Sequence, residues 1–200
     1  MARRSAKKKT AKKTAKKTPK SRPQKGIRVA TSTPTRKATK VGAVPARYGT
    51  VTPHIIVSPC NEALAWYERA LGAKTLSTMP GPGGLVMHGE MKLGDSIIMV
   101  SDEMPAMPGR PAWRKTPKHA GATTTGIHLY VKNVDALYQR AVAAGAVSAL
   151  APRDEFWGDR YAQVEDPYGH VWAFASKQKE MTQKQMHAAM QAMMAAHQAG

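Results

Sequence analysis

GIHLYVKNVDALYQRAVAAGA, residues 126–146, decides the fold because the chain writes it twice. GIHLYV alternates large apolar residues with small or polar ones, the period-two pattern of a half-buried strand. Asn133 and Asp135 then offer capping oxygens. Val134, Leu137, Tyr138 and Val142 recur at helical spacing, which predicts a one-faced helix ended by Gly145 in the left-handed conformation. Upstream, PHIIVSPCNEALAWYERALGA at 53–73 repeats the plan. There Asn61 is the expected cap, Leu64, Trp66, Tyr67 and Leu71 are the expected buried side, and Gly72 is the stop. From His to Gly is 18 residues in the first copy and 17 in the second.

The repetition runs past the helices. GDSIIMV at 94–100 and GHVWAFA at 169–175 are each a turn glycine followed by an apolar strand, 75 residues apart. At that offset His88 faces Gln163 and Glu90 faces Glu165. The first copy predicts strands at 74–79, 85–93 and 96–101, and the second at 148–151, 160–164 and 171–175. The fold class is therefore α+β, two paired modules of one strand, one helix and three strands. Each is too small to bury its own face and is expected to pack against its twin. The modules span about 47–103 and 124–178, joined by a Pro- and Gly-bearing linker over 102–125 that exceeds the usual connection length. Residues 179–200, rich in Ala, Met and Gln, read as a C-terminal helix whose methionines pack rather than bind metal.

The formal charge of +18 belongs to one end of the chain. Residues 1–47 hold 17 Lys and Arg and no acid, while the remainder carries 14 basic and 13 acidic side chains. Residues 1–46, opening with repeats of Ala-Lys-Lys-Thr, offer almost no large apolar side chain and are expected to be a disordered lysine-rich tail. Lys7, Lys8, Lys9, Lys12, Lys13, Lys16, Lys17 and Lys20 would neutralise phosphates in a salt-sensitive, sequence-independent way, making nucleic acid or another polyanion the expected partner. The run resembles in composition the tails of linker histones and of some bacterial nucleoid proteins. A solubilising extension or a misassigned start are the alternatives. The single cysteine, Cys60, excludes an intrachain disulfide and fits a reducing compartment. No apolar run is long enough to span a bilayer, and no secretory signal opens the chain, so a cytoplasmic protein, nucleoid-associated through its tail, is expected.

The two modules, a His on each first strand, and the D-P-x-G turn at 166–169 resemble the vicinal-oxygen-chelate superfamily of glyoxalases, bleomycin-resistance proteins and extradiol dioxygenases. MHGEMKLGDSIIMVSDE (87–103), HLYVKNVDALYQRAVAAGA (128–146) and FWGDRYAQVEDPYGHVW (156–172) look like its PhnB-like branch. The resemblance implies an incomplete barrel enclosing a ligand cavity, and a homodimer. It also implies a divalent ion held by His or Gln on the first strands and by Glu four residues past each turn glycine. Those Glu positions are Ile98 and Ala173 here, which ligate nothing, so no metal cofactor is favoured. A set of His54, His128 and Glu90, or His88 in its place, is the alternative for a metal-dependent lyase or dioxygenase.

The favoured expectation is binding or transformation of a small molecule by His54, His88, Glu90, His128, Trp157, Arg160 and Tyr161. Asp159 and Arg160 alternatively pair to fix their loop while Trp157 fills the barrel mouth. Trp66, Tyr67, Trp172 and Phe174 are expected in the core. Cys60 stands near a helix start, where a thiol pKa can fall, but no matched His or second Cys accompanies it. No catalytic triad, nucleotide fingerprint or zinc-type Cys spacing occurs.

Overall fold

The computed structural model describes residues 42–198 apart from positions 110 and 113. The expectations for 1–41, including the eight lysines, lie outside the described residues. The body is two four-stranded sheets, each with a helix on one face. β1 (His54–Ile56), β2 (Lys74–Pro80), β3 (Val86–Leu93) and β4 (Ser96–Ser101) form the first in the order β1-β4-β3-β2. β5 (Gly126–Tyr130), β6 (Val147–Asp154), β7 (Asp159–Glu165) and β8 (Val171–Lys177) form the second in the order β5-β8-β7-β6. β1 and β5 pair parallel to β4 and β8, and all other pairs are antiparallel. A crossover helix precedes the hairpins in each module: α1 (Cys60–Leu71) in the first and α3 (Val134–Ala143) in the second. A short α2 (Pro117–Ala120) interrupts the linker, and α4 (Gln183–Gln198) ends the described chain. The arrangement is an open barrel, as the duplicated pattern predicts. None of these helices is long and apolar enough to cross a membrane.

The helix ends show what sequence spacing can and cannot supply. Asn133 caps α3 by accepting from the Ala136 amide at 2.9 Å. Asn61 caps nothing, because α1 already begins at Cys60 behind Pro59. Its end is served from another strand: Asp102 Oδ1 accepts from the Cys60 amide at 2.9 Å and Oδ2 from Val86 N at 2.7 Å. One buried carboxylate thus ties α1, β3 and the end of β4 together. Gly72, at φ 75°, is the left-handed stop that the α1 pattern requires. In α3 Ala141 takes the buried position and Val142 is exposed.

The modules share one core. Leu64, Trp66 and Tyr67 of α1 pack with Val134, Leu137 and Ala141 of α3 and with Trp172 and Phe174 of β8. The two helices also serve each other's C-terminal carbonyls: Trp66 Nε1 donates to Ala144 O at 2.7 Å and Arg140 Nε to Ala70 O at 2.8 Å. The D-P-x-G turn closes the joint. Asp166, 3% exposed, accepts from Tyr67 Oη and Trp172 Nε1 at 2.8 Å each on Oδ2. Its Oδ1 accepts from the amides of Tyr168 at 2.8 Å and His170 at 2.9 Å. Burial and this carboxylate raise the Tyr67 pKa well above its ordinary value, so the phenol keeps the proton it donates.

The turns also set which residues are equivalent between modules. β3 and β4 are joined by two residues, Gly94 and Asp95, whereas five separate Glu165 from Val171. The 75-residue offset therefore slips. Cross-strand pairing places His54, Met99, Glu90 and Ser77 on one rung, and His128, Ala173, Gln163 and Leu150 on its counterpart. Met99, not Ile98, is the counterpart of Ala173. Ile98 is 3% exposed in the core with Val100 and Leu93, because strand alternation turns it toward the helices. Likewise Glu90 matches Gln163, not Glu165.

Replacing Asp166 by Ala would leave four donors, two of them on buried rings, without their acceptor, and should lower stability by about 3 kcal/mol. Asp154→Ala, at a surface ion pair, should change it by no more than about 0.5 kcal/mol. Urea unfolding of both variants checks the contrast.

Candidate functional site

Each sheet has a face turned away from its helix, and strand alternation delivers the polar candidates there. In the first module β1, β3 and β4 place His54, Glu90 and Met99 on that face, with His88 two residues along from Glu90. Glu90 is 3% exposed. Its Oε1 accepts from Arg47 Nη2 at 2.8 Å and from the Tyr48 phenol, with His88 Nε2 at 3.4 Å. Among the described residues, its Oε2 accepts only from Ser77 Oγ at 3.4 Å. Burial alone would raise the Glu90 pKa, but the bonds from Tyr48 and His88 and the Arg47 charge outweigh it, and the carboxyl is held below its usual value.

His54 lies 6.1 Å from His88, ring centre to ring centre and edge-on. Its Nδ1 faces Arg114 Nη1 at 2.9 Å and its Nε2 faces Ser101 Oγ at 3.1 Å. A guanidinium can only donate, so Nδ1 is the acceptor and Nε2 carries the proton offered to Ser101. Burial, then the charges of Arg114 and His88, lower the His54 pKa from 6.5 to about 4. The ring is neutral at pH 7 with both nitrogens engaged. Beside it, Met87, Met104, Met107 and Arg114 line a cavity of about 110 Å³.

The second module builds its face from rings. His128 lies 4.9 Å from Tyr130 and 5.8 Å from Tyr161 between centroids, and Tyr161 lies 5.5 Å from Trp157. Asp159 is buried beneath them, accepting from Trp157 Nε1 at 3.2 Å and Tyr130 Oη at 3.3 Å on Oδ2. Lys177 Nζ stands 3.2 Å from Oδ1, an ion pair without hydrogen-bond alignment. Tyr130 is 68% exposed. A cavity of about 740 Å³ is lined by Arg47, Val51, Ile97, Ile127, His128 and Leu129 among others.

The structure thus gathers His54, His88 and Glu90 in one module, and His128, Trp157 and Tyr161 in the other. It does not bring Arg160 to either group. Alternation points Arg160 to the helix side, where it meets Asp135 Oδ1 at 2.6 Å and Oδ2 at 3.0 Å, with Asp154 Oδ1 at 3.3 Å. The expected Asp159–Arg160 pair does not form, because neighbours on a strand face opposite ways. Cys60 is buried, and desolvation followed by the Asp102 charge pushes its pKa up to about 12, opposite to the fall that its helix position suggested. Sequence reasoning missed Arg47, Tyr48, Ser101, Arg114 and Tyr130. Only Tyr130 carried a signal, its alternation with His128 on β5.

The side chains do not fit the ion that such folds hold elsewhere. Met99 and Ala173 stand where carboxylates would be needed, His54 has no free lone pair, and Glu90 is covered by Arg47. Among the described residues no group of three or more His, Cys, Asp or Glu is arranged to hold a metal ion.

A duplicated βαβββ protein with two unlike side-chain faces, one polar and one aromatic, is the class that these features define. Residues 47–174 match the family model of the Glyoxalase/Bleomycin resistance protein/Dioxygenase superfamily, and the chain belongs to that superfamily. It is 37% identical over 140 residues to the Mycobacterium tuberculosis protein Rv0887c, covering 70% of this chain and 81% of that one. Among solved structures, TioX from Micromonospora sp. ML1 superposes with a TM-score of 0.51 at 26% identity, covering 64% of this chain and 99% of TioX. A glyoxalase/bleomycin resistance protein/dioxygenase from Nocardioides gives a TM-score of 0.52 at 18% identity, over 70% and 91% of the two chains, a likeness of fold.

The His54 environment makes a testable statement about pH. The unfolded chain binds the His54 proton near pH 6.5 and the folded state resists it to about 4, so unfolding takes up a proton in that window. Stability should therefore fall as pH drops from 6.5 to 4, and His54→Gln should flatten that part of the profile of denaturation midpoints. The depressed carboxyl of Glu90 acts in a lower range, since its stabilisation is present above the ordinary carboxyl pKa and lost as pH falls through the folded one.

Proposed function

We propose that this protein binds a small organic molecule on the helix-free faces of its modules, in the manner of a PhnB-like member of the superfamily, and without a four-ligand metal site. The observation that carries the reading is the pair of equivalent rungs: Met99 and Ala173 replace the anionic anchors, while polar and aromatic side chains are retained around them. A metal-dependent lyase or dioxygenase using His54, His128 and Glu90 is disfavoured by the same rungs. His128, Tyr130, Trp157 and Tyr161 offer flat apolar surface with polar edges, suited to stacking a planar ligand. Titration of the full chain with a panel of planar aromatic acids, amines and amides, followed through the His54 and His128 imidazole and Trp157 indole NMR signals, tests it. At least one member should shift these signals, and Tyr161→Ala should weaken that ligand by about 1 kcal/mol, roughly fivefold. A panel that moves none of the three signals, or a ligand that shifts the Trp157 signal yet is indifferent to Tyr161→Ala, overturns the reading.

A second reading concerns the N-terminal region and rests on its charge alone, 17 Lys and Arg without an acid in residues 1–47. We infer that it binds nucleic acid or another polyanion electrostatically. Gel shifts of the full chain should weaken steeply between 50 and 200 mM salt, on the order of a thousandfold or more if six or more phosphates are neutralised. A variant lacking residues 1–41 should not shift DNA; retention of binding by it would move the function to the folded body.

A further inference from the structure

Glu90 differs from the other buried carboxylates in who neutralises it. Asp102 and Asp166 are served by backbone amides and by buried rings of the core. Asp159 is served by Lys177 of β8, Trp157 of its own loop and Tyr130 of β5. Glu90 also pairs with a half-exposed cation, Arg47 being 55% exposed against 4% for Glu90, but this cation comes from outside any helix or strand, whereas Lys177 belongs to β8. Arg47 and Tyr48 stand in the lead-in to β1, a stretch without helix or strand, held by a turn of its own in which Tyr48 N donates to Pro45 O at 3.1 Å. A buried carboxylate needs hydrogen-bond donors or a cation, and here the fold supplies the cation from a stretch outside any helix or strand.

The seating is also incomplete. Three donors crowd Oε1, while Oε2 has only the long bond from Ser77. Arg47 Nη2 divides itself between Glu90 and the Tyr48 phenol, at 2.8 Å each. A planar cation not tethered to the chain could meet both oxygens with two parallel N–H donors, the arrangement that makes carboxylate–guanidinium pairs strong. His54, the nearest aromatic neighbour of His88, is neutral and adds no repulsion.

We propose that Glu90 is the recognition point for an organic cation of the guanidinium or amidinium class, and that Arg47 with Tyr48 is its built-in competitor. This rests on the small-molecule reading above and names the ligand class for the first module. A ligand must displace Arg47, so its apparent affinity is its intrinsic affinity multiplied by the fraction of time that Arg47 is away. In the same lead-in Val51 is 85% exposed and Tyr48 is partly buried.

The test is calorimetric titration of the full chain with benzamidinium, against the neutral isostere benzamide and the anion benzoate. Benzamidinium should bind more tightly than either. Arg47→Ala should tighten it about tenfold, as expected if Arg47 occupies the carboxylate about nine-tenths of the time. Glu90→Gln should abolish the preference for the cation, with circular dichroism confirming the fold. Circular dichroism likewise checks Arg47→Ala, which leaves the buried carboxylate without its cation, and this variant then reads the competition even if Glu90→Gln unfolds. Equal affinities for benzamidinium and benzamide, or no gain in Arg47→Ala, would overturn the assignment. Binding of benzoate or benzamide with movement of the His54 or His128 signals would then leave the broader small-molecule reading standing. Silence from all three probes, with other members of the aromatic panel still bound, likewise overturns the cation class alone.

Discussion

A carboxylate removed from water must find its hydrogen bonds inside the fold, and Asp166 finds four from both modules. Tyr67 reaches it from α1 of the first module, while Trp172 and two amides reach it from the second. The bond from Tyr67 fixes how the α1 face meets β8, and so where the shared core of Trp66, Tyr67, Trp172 and Phe174 can form. Asp102 performs the matching task inside the first module, holding the start of α1 against β3 and the end of β4. With the helix faces pinned in this way, strand alternation leaves the opposite faces of both sheets free to carry chemistry. The candidate site depends on these two aspartates although neither touches it.

The duplication is clear in the backbone and has been erased in the side chains. Equivalent rungs now read His54, Met99, Glu90, Ser77 and His128, Ala173, Gln163, Leu150. The His is kept in both, the carboxylate expected beside it in neither. Around that difference the first module has gathered charge (Glu90, Arg47, Arg114) and the second has gathered rings (Tyr130, Trp157, Tyr161). Two faces that must present the same ligands to one ion would be constrained to stay alike. Faces released from that constraint can diverge, and these have.

Much of this was legible in the sequence because it depends on local periodicity. The alternation of GIHLYV, the apolar spacing in both helices and the turn glycines gave the two modules. The core aromatics Trp66, Tyr67, Trp172 and Phe174 followed from the same faces. The equivalence of Ile98 with Ala173 failed for a countable reason: a two-residue turn stands in one hairpin where five residues stand in the other, and each shift of one residue reverses the face. Asn61 failed as a cap because the real acceptor, Asp102, lies 42 residues beyond Cys60, whose amide it serves. Arg160 lies on the helix side with Asp135 and Tyr161 on the opposite face with His128, since the two are neighbours on one strand. Arg47, Tyr48 and Arg114 come from segments without a repeating pattern, and nothing local in the sequence reports what such segments lie upon.

The contrast between His54 and Glu90 separates what the first module can do from what its residue types suggest. A histidine beside a buried glutamate reads as a general base or a ligand pair when only identities are known. Here the histidine is neutral and has spent both nitrogens on Arg114 and Ser101, so it can hold a shape but cannot readily take up a proton near neutral pH. The glutamate is held ionised, paired with the half-exposed Arg47. An ionised acceptor beside a proton-refusing ring is an arrangement for recognition rather than proton transfer, because one group offers charge and the other offers fixed geometry. That division is set by partners contributed from outside the repeated pattern, Arg47 and Arg114, which together with Ser101 decide what His54 and Glu90 can offer.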